Sequence, residues 1–134
     1  MLQQLSQRVR PGGLIVAGDL YWRKEPDPEY LQFLGHGFPP SGTDHAALGR
    51  SGEIFQLTPL YSARSNQDEW DDFEGCFAFR RYAQALSNPD PSERENEIAK
   101  SRRWYDAYLR WGHSTMGFGY FVFLKPETSV VLAV

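Results

Sequence analysis

Cysteine is nearly absent from this 134-residue sequence: Cys76 stands alone, so no disulfide forms within the chain and no cysteine-based zinc site is available. That usage fits a reducing compartment. Long apolar runs are missing too. None reaches ten residues, against roughly 20 needed to cross a bilayer, and the N-terminus has no charged-then-apolar signal pattern. These absences predict a cytoplasmic chain with no membrane partner. Nor is there an excess of positive charge, since 14 Lys and Arg against 17 Asp and Glu leave a net charge of -3 and no field to draw nucleic acid. The Arg80-Arg81 and Arg102-Arg103 pairs have acidic neighbours and read as solvated helix faces.

Recognisable catalytic motifs are scarce. His36, His45 and His113 lack the short spacing of a metal pair and read as solvated loop histidines, so no metal site is expected. The acidic run from Asp68 to Glu74 coincides with a helix start, where negative charge complements the helix dipole. No Ser-His-Asp arrangement is legible, and Cys76, beside Phe77 in mid-helix, reads as packed rather than nucleophilic. Gly12-Gly13 precedes a strand, whereas dinucleotide loops follow one; Gly117-Phe118-Gly119 also opens a strand, and both read as turns.

What the chain does have is a core. A composition of 41% hydrophobic, 15% aromatic and 23% charged residues lies outside the disordered regime and predicts one packed domain over residues 1–134. Leu2, Leu5 and Val9 have helical spacing, and Pro11-Gly12-Gly13 stops that helix. Leu14–Tyr21 is then a continuous apolar run, the mark of an interior strand covered on both faces. Asp19, Tyr21 and Trp22 fall at its carboxyl end, where open α/β sheets bind ligands.

A Pro- and Gly-rich excursion follows, with short helices at Pro28–Leu34 and at Thr43–Gly49, the latter capped by Thr43. Ile54–Arg64 reads as a second strand, held to an edge or a bulge by Pro59. Ser65–Ala85 is a helix capped by Ser65 or Asn66, with Trp70, Phe73 and Phe77 on one face. Asp90 and Pro91 open another helix, which runs to Trp111 and ends at Gly112. Gly117–Lys125 is a third strand, and Thr128–Val134 either extends the sheet or trails. Tyr21, Trp22, Trp70, Tyr105, Tyr108 and Trp111 exceed the aromatic needs of a small core and could line a pocket for an organic molecule.

The phrase Arg10-Pro11-Gly12-Gly13-Leu14-Ile15-Val16, followed by Gly18-Asp19-Leu20-Tyr21-Trp22, resembles the late-sheet segment of class I S-adenosylmethionine-dependent methyltransferases. In that family a helix ends in a Pro-Gly-Gly turn before the fifth strand. The resemblance implies an α/β fold, a partial Rossmann-like sheet with the sixth strand at Leu57–Arg64 and the seventh at Phe118–Leu124. The seventh would run antiparallel between the other two. The likeness is greatest to small-molecule enzymes with an aromatic pair after this strand.

The family's Gly-rich donor loop, its acidic residue after the second strand and its residues near the fourth have no counterpart here. The resemblance therefore implies the C-terminal portion of a methyltransferase: S-adenosylmethionine as cofactor of the intact enzyme, none bound by this chain alone, and no activity alone. It gives Asp19 the role of orienting a nucleophile or accepting its proton, and Tyr21, Trp22, Trp70, Tyr105 and Trp111 the positioning of a small organic acceptor. A fifth strand without its fourth neighbour presents unpaired backbone groups, which predicts a homodimer or a partner chain supplying strands. The alternative is a non-catalytic α/β module that binds a ligand or partner through the same aromatics.

Overall fold

Lys125 fastens the first helix to the end of the sheet. Its ammonium donates to the carbonyls of Ser6 at 2.6 Å and Val9 at 2.9 Å, meeting the unpaired C-terminal carbonyls of α1 (Leu2–Arg8). Gly12, at φ +79°, then reverses the chain into β1 (Leu14–Trp22). The computed structural model describes residues 1–127. The expectation for Thr128–Val134 lies outside them.

Among the described residues three strands form one sheet, in the order β1, β3 (Met116–Leu124), β2 (Thr58–Arg64). β3 is antiparallel to both neighbours, pairing Leu14 with Leu124 and Trp22 with Met116 on one side and Arg64 with Gly119 on the other. The fold is thus α/β with flanking helices, and the last of these strands is inserted in the middle. β2 starts later than its sequence suggests because Glu53–Phe55 makes a 3-10 turn and Gln56 takes a left-handed conformation. The irregularity that Pro59 foretells lies between Pro59 and Tyr61.

β1 is correspondingly an edge strand among the described residues, not an interior one. Alternation places Ile15, Ala17, Asp19 and Tyr21 on one face. There α1, α3 (His45–Arg50) and the 3-10 turn cover a cluster of Ile15, Leu57, Phe121 and Phe123. The opposite face is covered only toward the carboxyl end, where Leu20, Trp22, Met116 and Phe118 meet the other helices. Leu14 and Val16, on its amino half, are 57% and 71% exposed, so the strand is not covered on both faces.

Asp44, rather than Thr43, caps α3, because its side chain reaches Ala47 N–H at 2.7 Å. Asn66 caps α4 (Gln67–Leu86) and Asp90 caps α5 (Pro91–Ala107). The four-residue link makes these two helices an antiparallel hairpin, bridged on its solvated side by Arg81 and Glu97 at 3.8 Å. Gly112 does not end the last helix. A π-helical segment, Tyr108–Gly112, carries it on to Thr115, and the widened turn directs Tyr108 into the core while Trp111 stacks on Tyr30. Cys76 is exposed on α4, so its expected packing is not found.

Candidate functional site: an aromatic hollow beside a polar cleft

The inner face of α4 presents Trp70, Phe73, Glu74 and Phe77 at positions i, i+3, i+4 and i+7, which share one side of a helix. Together with the sheet face around Leu20 and Phe118, with α2 (Pro28–Leu34) and with Trp104 and Tyr108, they enclose a hollow of about 270 Å³. Its wall is aromatic and aliphatic apart from Glu74 and the tyrosine hydroxyls. Glu74 is buried, and its Oε2 accepts a hydrogen bond from Trp104 Nε1 at 3.0 Å. Burial pushes its carboxyl above the ordinary value, with the Trp104 bond opposing in part. Tyr30 is pushed up to about 12 by burial and then by the nearby Glu74 charge.

A second hollow of about 350 Å³ opens at the carboxyl ends of β1 and β2. Tyr21, Arg23, Arg64, Ser65, Gln67 and Gly117 give it a polar lining, and Trp70 and Met116 are walls of both hollows. Beside it lies a hydrogen-bond network. Asp71 Oδ1 accepts from Tyr108 Oη at 2.5 Å and from Gln67 Nε2 at 3.0 Å, and stands 2.8 Å from His113 Nδ1. A proton on that Nδ1 points to Asp71, so the Gln67 amide, 3.1 Å from the same nitrogen, serves Asp71 instead. The Tyr108 bond first, then Gln67 and His113, hold the Asp71 carboxyl below its usual range. Burial, followed by the Asp71 bond, pushes the Tyr108 phenol up. Arg23 completes the network with a 2.7 Å bond to Gln67 Oε1.

The residues singled out from the sequence are dispersed through this arrangement. Trp70 lines both hollows and Tyr21 the polar one, its ring edge-on to His45 at 5.2 Å. Trp22 is buried beneath them, its indole N–H donating to the Pro39 carbonyl at 2.9 Å. Trp111 stacks on Tyr30 at 5.4 Å, and Tyr105 stacks on Tyr108 at 6.2 Å while lining a separate surface groove with Phe79 and Tyr82. Asp19 is exposed on the face away from the aromatic hollow, lines neither hollow, and accepts Leu20 N–H at 2.8 Å. Sequence reasoning missed Glu74, Trp104 and the Asp71–His113 pair. In sequence Glu74 looks like one more surface acid, and only its four-residue spacing from Trp70 hints otherwise.

Solved structures share this fold. A methyltransferase from Geobacter sulfurreducens in complex with S-adenosyl-L-homocysteine aligns with 92% of the chain at a TM-score of 0.76 and 22% identity. Its counterpart from Thiobacillus denitrificans, with the same ligand, gives 0.73 and 22%. The fold is part of a methyltransferase fold. YjhP from E. coli also matches, at a TM-score of 0.74 and 21% identity. The chain spans about half the length of these structures, 50% in each case. No family model and no curated protein matches the sequence.

The Gly12-Gly13 turn precedes its strand and is closed by its own neighbours: a Cβ at Gly13 would stand 2.6 Å from Val9 Cγ1, and one at Gly12 would stand 2.9 Å from Glu127 Oε1. No backbone cradle is left there for a ligand. Among the described residues, no helix is long and apolar enough to cross a membrane, and no three His, Cys, Asp or Glu side chains converge as a metal site.

Proposed function

We propose that this chain is the acceptor-side, C-terminal portion of an S-adenosylmethionine-dependent methyltransferase acting on a small organic molecule, inactive until joined to donor-binding strands. Its three strands then correspond to the fifth, sixth and seventh of the fold. The observation that carries this reading is the aromatic hollow opening beside a polar cleft at the sheet's carboxyl edge, with Trp70 and Met116 as the common wall. Ligands of open α/β sheets bind at that edge. The hollow would hold the body of the acceptor, and the cleft would hold the group that receives the methyl.

Two features support a missing half. The outer edge of β1 has no partner strand among the described residues, and across one face of the sheet Leu14, Val16, Tyr120 and Tyr61 are exposed. Donor-binding strands and helices, or a second copy of the chain, would cover both. In the intact enzyme S-adenosylmethionine supplies the electrophilic methyl. This chain's task is to align the acceptor, because fixing the mutual orientation of two reactants removes much of the barrier to their meeting. Of two groups able to take a proton, the Asp71–His113 pair adjoins the cleft through Gln67, while Asp19 is bonded to its own backbone. That favours His113 as base and Asp71 as the residue that orients it.

Calorimetry on the full chain tests this reading. S-adenosylmethionine should give no heat at micromolar concentration, whereas small aromatic molecules should bind and lose affinity in Trp70→Ala. Micromolar donor binding would overturn the incomplete-enzyme reading, and the absence of any aromatic ligand would overturn the acceptor site. A non-catalytic module is the second reading, favoured by the missing donor cradle. A stoichiometric partner in native purification that brings no donor-binding activity would decide for it.

A further inference from the structure

We propose that the aromatic hollow accepts an organic ammonium ion, anchored by Glu74 and boxed by the surrounding rings. The inference rests on the acceptor-site reading and names its substrate class. Glu74 is 6% exposed in a wall that is otherwise rings and aliphatic side chains. Among the described residues Trp104 is its one hydrogen-bond donor, and no Lys, Arg or His forms an ion pair with it. A buried carboxylate without a cation is costly, because lost hydration is not replaced by an opposite charge. A glutamine at this helix position would accept the same Trp104 bond without that cost. The acid therefore makes sense as half of a pair whose other half is the ligand.

The rings supply the rest of the recognition. Trp70, Phe73, Phe77 and Trp104 all border the hollow, and Trp70 and Phe73 stack with an interplanar angle of 2° at 5.7 Å. Ring faces attract a desolvated cation through their quadrupoles. A neutral apolar molecule would leave Glu74 unanswered, and an anion would be repelled by it. The volume of about 270 Å³ is just below the range of drug-sized sites and suits a small amine. Burial raises the Glu74 carboxyl, and an ammonium beside it would favour its ionised form. A protonated nitrogen has no free lone pair. In this complex the ammonium is thus an anchor, and the methyl is received by another atom of the ligand.

The test compares two probes of one shape, phenyltrimethylammonium and tert-butylbenzene, titrated into the full chain with tryptophan fluorescence as readout. The cation should bind about tenfold or more tighter than its neutral isostere. Glu74→Gln should bring that ratio close to one. Phe77→Leu, at the exposed rim where folding is not at stake, should lower it several-fold. Equal binding of both probes to the unmodified chain, or a ratio unchanged in both variants, overturns the ammonium assignment and leaves an apolar acceptor site standing. Binding of neither probe overturns the acceptor site as well.

Discussion

Trp104 on α5 donates its indole N–H to the carboxylate of Glu74 on α4 at 3.0 Å, and this bond crosses the helix hairpin at the floor of the aromatic hollow. It satisfies one oxygen of a buried acid without neutralising it. The hairpin thereby holds a titratable group whose charge the fold opposes.

Stability should record that opposition. Burial places the Glu74 carboxyl above its ordinary value of 4.5. Between that value and its folded pKa, the folded protein keeps a proton that the unfolded chain has released, so stability falls as pH rises through this window and is flat below it. Asp71 acts with the opposite sign. Its carboxyl lies below 3.8 because the Tyr108 hydroxyl, the Gln67 amide and His113 favour the ionised form, so its contribution is complete above 3.8 and lost as pH falls further. Urea unfolding of Glu74→Gln should therefore lack the decline above pH 4.5 while retaining the acid limb. An unmodified protein whose stability rises across that window contradicts the assignment.

Asn66 should matter through geometry rather than charge. Its Oδ1 accepts from Glu69 N–H at 2.8 Å while its own N–H donates to Glu69 Oε2 at 2.9 Å, a reciprocal cap that starts α4. Asn66→Ala should cost about 1 kcal/mol, or roughly 4 °C in thermal midpoint for a domain of this size. Because Gln67 and Trp70 stand in the first turns it secures, the variant should also weaken ligand binding in the adjoining hollows. Circular dichroism melts and the fluorescence titration check the two effects together.

How much of this is legible in the sequence depends on how local each cause is. The Pro11-Gly12-Gly13 turn, the strand after it and the cap at Asp90 are decided within a few residues and are readable, while the cap of α4 is narrowed only to Ser65 or Asn66. The central place of β3, the last strand among the described residues, comes from a family resemblance and not from periodicity. Thr43 and Asp44 are both good caps on composition; the one whose oxygen reaches Ala47 N–H wins, and only coordinates show which. Asp71 and His113 are 42 residues apart and meet because the π-helical segment extends the last helix past Gly112. No spacing rule announces such a pair. Glu74 is hidden by its company, since an acidic helix start gives five acids one plausible explanation and the structure exempts Glu74 as well as Asp71.

Gly117 controls Tyr21 across the sheet. The two are register partners, and a Cβ added at Gly117 would meet Tyr21 Cζ at 2.5 Å. The Tyr21 ring is also fixed edge-on against His45, so it has little room to yield. Gly117→Ala should cost about 1–3 kcal/mol as an overpacking change and displace Tyr21 from the polar cleft. Adding Tyr21→Ala should recover part of that loss, a coupling that a double-mutant cycle measures. Strict additivity would show that the two positions do not press on one another.

The exposed half of β1 makes a prediction about assembly. Val16 is 71% exposed, with Leu14 and Tyr120 near it on the same face, on a strand whose outer edge has no partner among the described residues. Apolar surface next to open backbone donors and acceptors favours pairing with a second strand. For the chain by itself the second strand at hand is that of another copy, and a two-fold axis lets each Leu14–Trp22 strand satisfy the other. Light scattering at high micromolar concentration should show a dimer. Val16→Lys places a charge in that interface at a solvent-facing site, so it should shift the equilibrium to monomer with a change in intrinsic stability of at most about 0.5 kcal/mol. A monodisperse monomer before any substitution would rule out self-pairing through this face.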